Sequence, residues 1–193
     1  MSLPKEYVGY FSNELIKRLE KSAKVRIQNH AAAVEKVRQV LDEDTAQADK
    51  LNQEVRDYLE QYQERIRRDA ISYQDMYKLV KRELQKQHKI TTVNRPEPGE
   101  GKLSRDKVIE LSHPLAKALA ALKPQVEFAE EPNEVRLEIF RQMQALLREE
   151  RQMDQAVRQK IHSQKREIVE GSAEWDILFR RYYSEELRKL GVA

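Results

Sequence analysis

Four histidines, His30, His88, His113 and His162, are the side chains best suited to metal ligation or to proton transfer near neutral pH. They fall in different predicted elements, none with a second His or a carboxylate at a recurring ligand spacing. They read as surface histidines, and no metal site is inferred. The carboxylate pairs Glu149-Glu150 and Glu185-Glu186 are adjacent on predicted helices. Helical neighbours point about 100° apart, so such a pair does not face one substrate as general acid and base, and both pairs are expected on solvated faces. Gly99-Glu100-Gly101 precedes a predicted helix without the rest of a phosphate-binding fingerprint or a preceding strand. With no cysteine, thiolate nucleophiles, thiolate metal sites and disulfides are excluded. The sequence therefore implies no catalytic residue, no cofactor and no small-molecule substrate, and the chain reads as a non-enzyme.

Two groups of residues suit binding instead. Arg65, Arg68, Lys78, Arg82, Lys86 and Lys89 crowd residues 65–89, and the last four fall on one helical face at spacings of four and three. Such a face is able to follow a phosphate backbone. It equally suits a solvated stripe balanced by Asp75 and Glu83, since the net charge is only +3 and no exposed aromatic platform is evident. The second group is Trp175 with Tyr182 and Tyr183, expected to pack the core, with one of the adjacent tyrosines partly exposed and able to dock a partner.

The elements that must position these residues are helices. Glu170 to Gly191 has the marks of one complete helix. Gly171 breaks what precedes it, Ser172 is a capping residue, Glu174 and Asp176 lie near the positive end of the dipole, and Gly191 is placed for the left-handed stop. Trp175, Leu178, Phe179, Tyr182, Leu187 and Leu190 mark its apolar stripe, which makes Trp175, Ser172, Gly171 and Leu187 the expected structural anchor. Across all 193 residues, 36% are charged and 39% hydrophobic, with few glycines, prolines or aromatics, a composition that favours helix over a multi-stranded sheet. No apolar run approaches the roughly 20 residues that cross a bilayer. The start, Met-Ser-Leu-Pro-Lys-Glu-Tyr, lacks a signal-peptide core, so a cytoplasmic address is expected and no membrane partner.

The chain also corresponds with itself. Val8, Phe11, Ser12, Leu15 and Leu19 match Val108, Leu111, Ser112, Leu115 and Leu119 at a constant offset of one hundred. Val25-Arg26-Ile27 matches Val126-Glu127-Phe128 after one insertion, Tyr73 falls opposite Trp175, and Glu83-Leu84 opposite Glu186-Leu187. Period 3.6 alone forces some apolar agreement, but the order of three helices and the Val-x-apolar connector agree as well, which argues for internal duplication. The boundaries follow: residues 1–90 form a first helical repeat, 91–101 a linker rich in Pro and Gly, and 102–193 a second repeat.

Each repeat is expected to hold a first helix (about 4–21 and 104–123, the second kinked or divided at Pro114), a short extended piece able to pair across the duplication, a long helix, and a third helix. The first long helix, about 31–67, places Val34, Val37, Leu41, Asp44, Ala48, Leu51, Val55, Tyr58 and Tyr62 in coiled-coil spacing. The second carries Met143, Leu146, Glu150, Met153, Val157, Lys160 and Gln164 in the matching register. The third helix of the first repeat is expected to start at Ser72, with Tyr73, Met76, Tyr77, Val80 and Leu84 facing inward. The fold class is thus all-α: an elongated, internally duplicated arrangement of two three-helix units with long coiled-coil-like central helices.

Gly171-Ser172-x-Glu174-Trp175-Asp176-x-Leu178, then Tyr182-Tyr183 and Glu186-Leu187-Arg188-Lys189-x-Gly191, with the Leu103-Ser104 to Val108 opening, resembles the bacterial family catalogued as domain of unknown function 507. The resemblance implies an all-helical, elongated, cytoplasmic bacterial protein and implies no activity. The first half departs from the motif, with Ile71-Ser72-Tyr73 in place of Gly-Ser-x-Glu-Trp. The expected role is a non-catalytic protein-interaction or scaffold function with an unidentified protein partner; the alternative is a nucleic-acid or ribosome-associated protein using the basic face of the first half.

Overall fold

The computed structural model describes residues 3, 5–62, 64, 68, 72–88, 90, 102–164, 166 and 168–191. Among the described residues the protein is all-α apart from one pair of three-residue strands. In chain order the elements are α1 (Lys5–Lys21), β1 (Val25–Ile27), α2 (His30–Glu60), α3 (Tyr73–Gln87), α4 (Arg105–Ala120), β2 (Val126–Phe128), α5 (Pro132–His162) and α6 (Ala173–Lys189). Among the described residues no helix is long and apolar enough to cross a membrane. The expected linker, 91–101, lies outside the described residues.

The chain forms two compact units. One comprises Met1–Val40 with Arg95–Ala193, the other Leu41–Asn94.

In the first unit, α5 lies against α4, α6 and α1. The burial of α1 and α4 follows their common periodicity: Val8, Phe11, Ser12, Leu15, Ile16 and Leu19 are buried, and so is the residue one hundred positions later in each case. Serine is tolerated on these apolar stripes because its hydroxyl bonds back to the helix. Ser12 Oγ donates to the Val8 carbonyl at 2.8 Å and Ser112 Oγ to the Ile109 carbonyl at 2.6 Å. Pro114 does not divide α4, which runs unbroken to Ala120. One missing N–H and one crowded carbonyl are outweighed by the buried apolar face on either side. β1 and β2 pair antiparallel, Val25 opposite Phe128 and Ile27 opposite Val126, as their alternation suggests.

The helix starts follow the capping residues. Ser104 and Ser172 accept from the backbone N–H of Lys107 and Trp175, and Asn29 Oδ1 from that of Ala32. Gly171 and Gly191 both adopt φ of 84°, the left-handed region that ends a helix or reverses the chain before one.

In the second unit, the α2 seam continues through Leu41, Leu51, Val55 and Leu59. It does not pass through Tyr58 and Tyr62 as their spacing suggests: both are exposed, with their rings 5.1 Å apart. A seam spaced by four from Leu51 to Leu59 buries the position next to Tyr58. α3 has its own cap, Ser72 accepting from the Asp75 N–H, and closes a small core of Val55, Leu59 and Val80 with Met76, Tyr77 and Leu84 at its edge. Tyr73, expected to face inward, is 46% exposed.

Candidate functional site

The buried stripe of α5 turns polar halfway along. Between Leu146-Leu147 and Val157-Ile161, the inward positions are Glu150, 1% exposed, and Asp154, 8% exposed. The expectation that Glu149-Glu150 forms a solvated face therefore holds for Glu149 alone. Glu150 lies four residues after Leu146 and so shares its buried face, while Glu149 is turned outward and pairs with Arg18 at 2.7 Å. The same register corrects the end of the seam. Asp154 and Ile161 are buried in place of Met153 and Lys160.

A buried carboxylate is tolerated where charge and hydrogen bonds compensate its desolvation. Asp154 meets that condition. Lys102 Nζ donates to Oδ1 at 2.6 Å and Arg158 Nε to Oδ2 at 2.6 Å. Burial pushes its pKa up, but the two bonds outweigh burial and hold it below the ordinary value. Arg158 also reaches Glu170 and lies 5.4 Å over the Phe179 ring, which ties α5 to α6.

Glu150 is less well served. Its Oε1 accepts from the Tyr183 hydroxyl at 3.1 Å, with Lys102 Nζ at 3.8 Å, beyond hydrogen-bond reach. Its Oε2 is buried without a hydrogen-bond partner among the described residues. Burial accordingly raises its pKa above the ordinary carboxylate value, against the pull of Lys102 and Tyr183. Burial, and then the charge of Glu150, push the phenols of Tyr7 and Tyr183 up as well. Tyr7 donates to the Leu146 carbonyl at 2.9 Å, one turn before Glu150.

Glu150 lines a cleft of about 410 Å³ together with Tyr7, Tyr10, Met153, Glu186 and Leu190. The volume falls in the range of small-ligand sites, about 300–1,000 Å³. The Tyr7 and Tyr10 ring centroids are 5.5 Å apart.

The residues singled out from the sequence take other places. Trp175 and Leu187 are buried, Ser172 caps α6 and Gly171 turns into it. The Trp175 ring sits 5.0 Å from that of His162. Leu190, which the spacing makes the end of the stripe, is 52% exposed because α6 ends before it. Of the two tyrosines, Tyr183 is buried; Tyr182 is half-buried, with Lys160 Nζ 4.0 Å from its ring centroid. On the basic side, Arg65 and Lys89 lie outside the described residues. Arg68, Lys78, Arg82 and Lys86 are exposed, and α3 brings the last three onto one face. Lys78 pairs with Asp75 at 3.4 Å and Lys86 with Glu83 at 3.6 Å.

Two of the histidines have hydrogen-bond partners. His30 bridges Glu20 and Asn13 of α1 at 3.0 and 2.9 Å, and His88 meets Glu54 at 2.8 Å. Among the described residues no group of three or more His, Cys, Asp or Glu is placed to hold a metal ion.

Residues 1–192 match the model of a family described as a protein of unknown function, DUF507. No curated protein matches the chain.

Proposed function

The chain belongs to the DUF507 family, whose function is not established, and we propose that it serves as a non-catalytic protein-interaction or scaffold protein. The observation that carries this reading is the surface of Leu41–Asn94. Tyr58, Tyr62, Tyr73 and Leu79 are exposed by 38 to 64% in a unit whose described residues form a small buried core. Tyrosine is enriched where proteins meet, since it adds contact area at low conformational cost and keeps a hydroxyl for a partner. With ring centroids 5.1 Å apart, Tyr58 and Tyr62 form one continuous aromatic patch.

The test is co-purification from native cells of the tagged chain and of a Tyr58→Ser, Tyr73→Ser, Leu79→Ser variant. A defined protein retained in fixed ratio by the first and lost from the folded variant supports the proposal. An identical set of partners with both would overturn it.

The second reading, nucleic-acid or ribosome-associated binding, is favoured by one observation. Lys78, Arg82 and Lys86 are all exposed on one face of a unit that also exposes three tyrosines, and base stacking on aromatics beside a basic groove is how single strands are held. Binding of generic RNA that weakens steeply with salt, and disappears when the three cations become Glu, would favour it.

A further inference from the structure

We propose that the cleft between α1, α5 and α6 is a binding site for an organic cation, a protonated amine or guanidinium carried on an apolar stem. It lies in the unit formed by Met1–Val40 and Arg95–Ala193, and it does not rest on the surface of Leu41–Asn94. Glu150 supplies the recognition. Its Oε1 is accounted for by the Tyr183 hydroxyl, and the lysine nearest it, Lys102, spends its short bond on Asp154. That leaves Oε2, buried and without a donor among the described residues, on a side chain that lines the cleft. Neither protonation state resolves this. A carboxylate there lacks a donor, and a carboxylic acid whose proton sits on Oε1, donated to the Tyr183 hydroxyl oxygen, leaves Oε2 a carbonyl oxygen that still lacks one, so a donor from outside is what the site is missing.

The rest of the lining selects the kind of donor. Glu149, Glu150 and Glu186 face one cation, Lys189, which disfavours anions. Glu149 and Glu186 already hold Arg18 and Lys189 at 2.7 and 2.6 Å, so Glu150 is the carboxylate with capacity to spare. The Tyr7 and Tyr10 rings, packed on each other with centroids 5.5 Å apart, add an aromatic side to the lining, and Met153 and Leu190 offer an apolar wall to methylene groups. A guanidinium suits the site because its planar donors remain charged at any working pH. The ligand is either a free molecule or an arginine side chain presented by a peptide, and both present the same group.

The test is titration of the full chain, followed by backbone amide and tyrosine ring NMR shifts, with butylguanidinium, its neutral isostere butylurea, and the blocked tripeptide acetyl-Ala-Arg-Ala-amide. Saturable shifts at Tyr7, Tyr10, Met153 and Leu190 are expected from the cations. Butylurea should bind at least about tenfold more weakly, and Glu150→Gln should weaken the cation by a similar factor, as loss of a charge-assisted bond does. Tighter binding of the tripeptide would assign the site to a peptide arginine, and tighter binding of butylguanidinium to a free molecule. If Glu150→Gln fails to fold, Met153→Trp, which fills the cleft without touching the polar network, should abolish the shifts. Equal binding of urea and guanidinium, the absence of saturable shifts, or undiminished binding by a folded Glu150→Gln or Met153→Trp protein would overturn the proposal.

Discussion

Helices α3 and α6 begin in the same way and end in different surroundings. Each has a serine cap whose hydroxyl accepts from the backbone three residues on, and each carries negative charge in its first turn. In α6 the aromatic of that turn, Trp175, is 3% exposed; in α3 the aromatic beside the cap, Tyr73, is 46% exposed. Register explains the difference. With Leu84 set against Leu187, Val80 falls on Tyr183 and Met76 on Phe179, and the place of Trp175 is taken by Ser72, the cap itself. α3 starts one turn later, so its first inward position belongs to a residue that must cap. A shared local signal for starting a helix therefore does not transmit a shared packing position.

The largest expected effect separates the two aromatics. Trp175→Ala should cost about 3 to 5 kcal/mol, the usual range for deleting a core aromatic, whereas Tyr73→Ala should stay within about 0.5 kcal/mol. Urea denaturation followed by circular dichroism measures both. A similar cost for the two would show that positions 73 and 175 are packed alike.

A smaller effect is expected in the second unit. Leu59→Ala removes one of the few fully buried side chains near α3 and should cost about 2 kcal/mol or more. Hydrogen exchange should show the loss of protection concentrated in residues 51–60 and 73–87, while α4 to α6 keep theirs.

The two buried acids of α5 should give opposite pH dependences. Glu150 has a folded pKa raised above its ordinary 4.5, so its contribution to stability is fully present below that value and is lost as pH rises through the folded pKa. Asp154 has a folded pKa lowered from 3.8, so its contribution is present above that value and is lost as pH falls through the folded pKa. Relative to the unaltered chain, Glu150→Gln should become more stable as pH is raised above about 4.5, and Asp154→Asn should become more stable as pH is lowered below about 3.8, so that across about pH 2 to 7 the two profiles run in opposite directions. Urea denaturation repeated across this pH range measures both, and parallel profiles for the two variants would contradict the assignment.

The smallest expected effect is on the exposed face of α3. Replacing Lys78, Arg82 and Lys86 by Glu should change stability by about 0.5 kcal/mol or less, since exposed ion pairs contribute little. Any change in binding by that variant would then report on the surface and not on the fold.

Much of the fold was legible because it follows from rules that are local in sequence. Serine caps, glycines at helix ends, the apolar stripes of α1 and α4, and the pairing of Val25–Ile27 with Val126–Phe128 all stand as their spacing suggests. What was hidden depends on which of two adjacent positions faces inward. Tyr58 and Leu59 both fit an apolar seam within one residue, and only packing chooses Leu59. The polar site was half visible. Glu150 stood in the coiled-coil register between Leu146 and Val157, yet its neighbour Glu149 made the pair look solvated. Asp154 and Lys102 gave no comparable signal, since they meet across fifty residues of chain. A carboxylate in an apolar register is the sequence feature from which the buried acid was readable.

Acrylamide quenching of tryptophan fluorescence distinguishes opposite environments for the leading aromatics of α3 and α6 from equal ones. The unaltered chain reports on Trp175, its single tryptophan, and a Tyr73→Trp, Trp175→Phe variant reports on position 73. Weak quenching and blue-shifted emission from Trp175, with strong quenching and red-shifted emission from position 73, is the result predicted. Equal quenching at the two positions would contradict it.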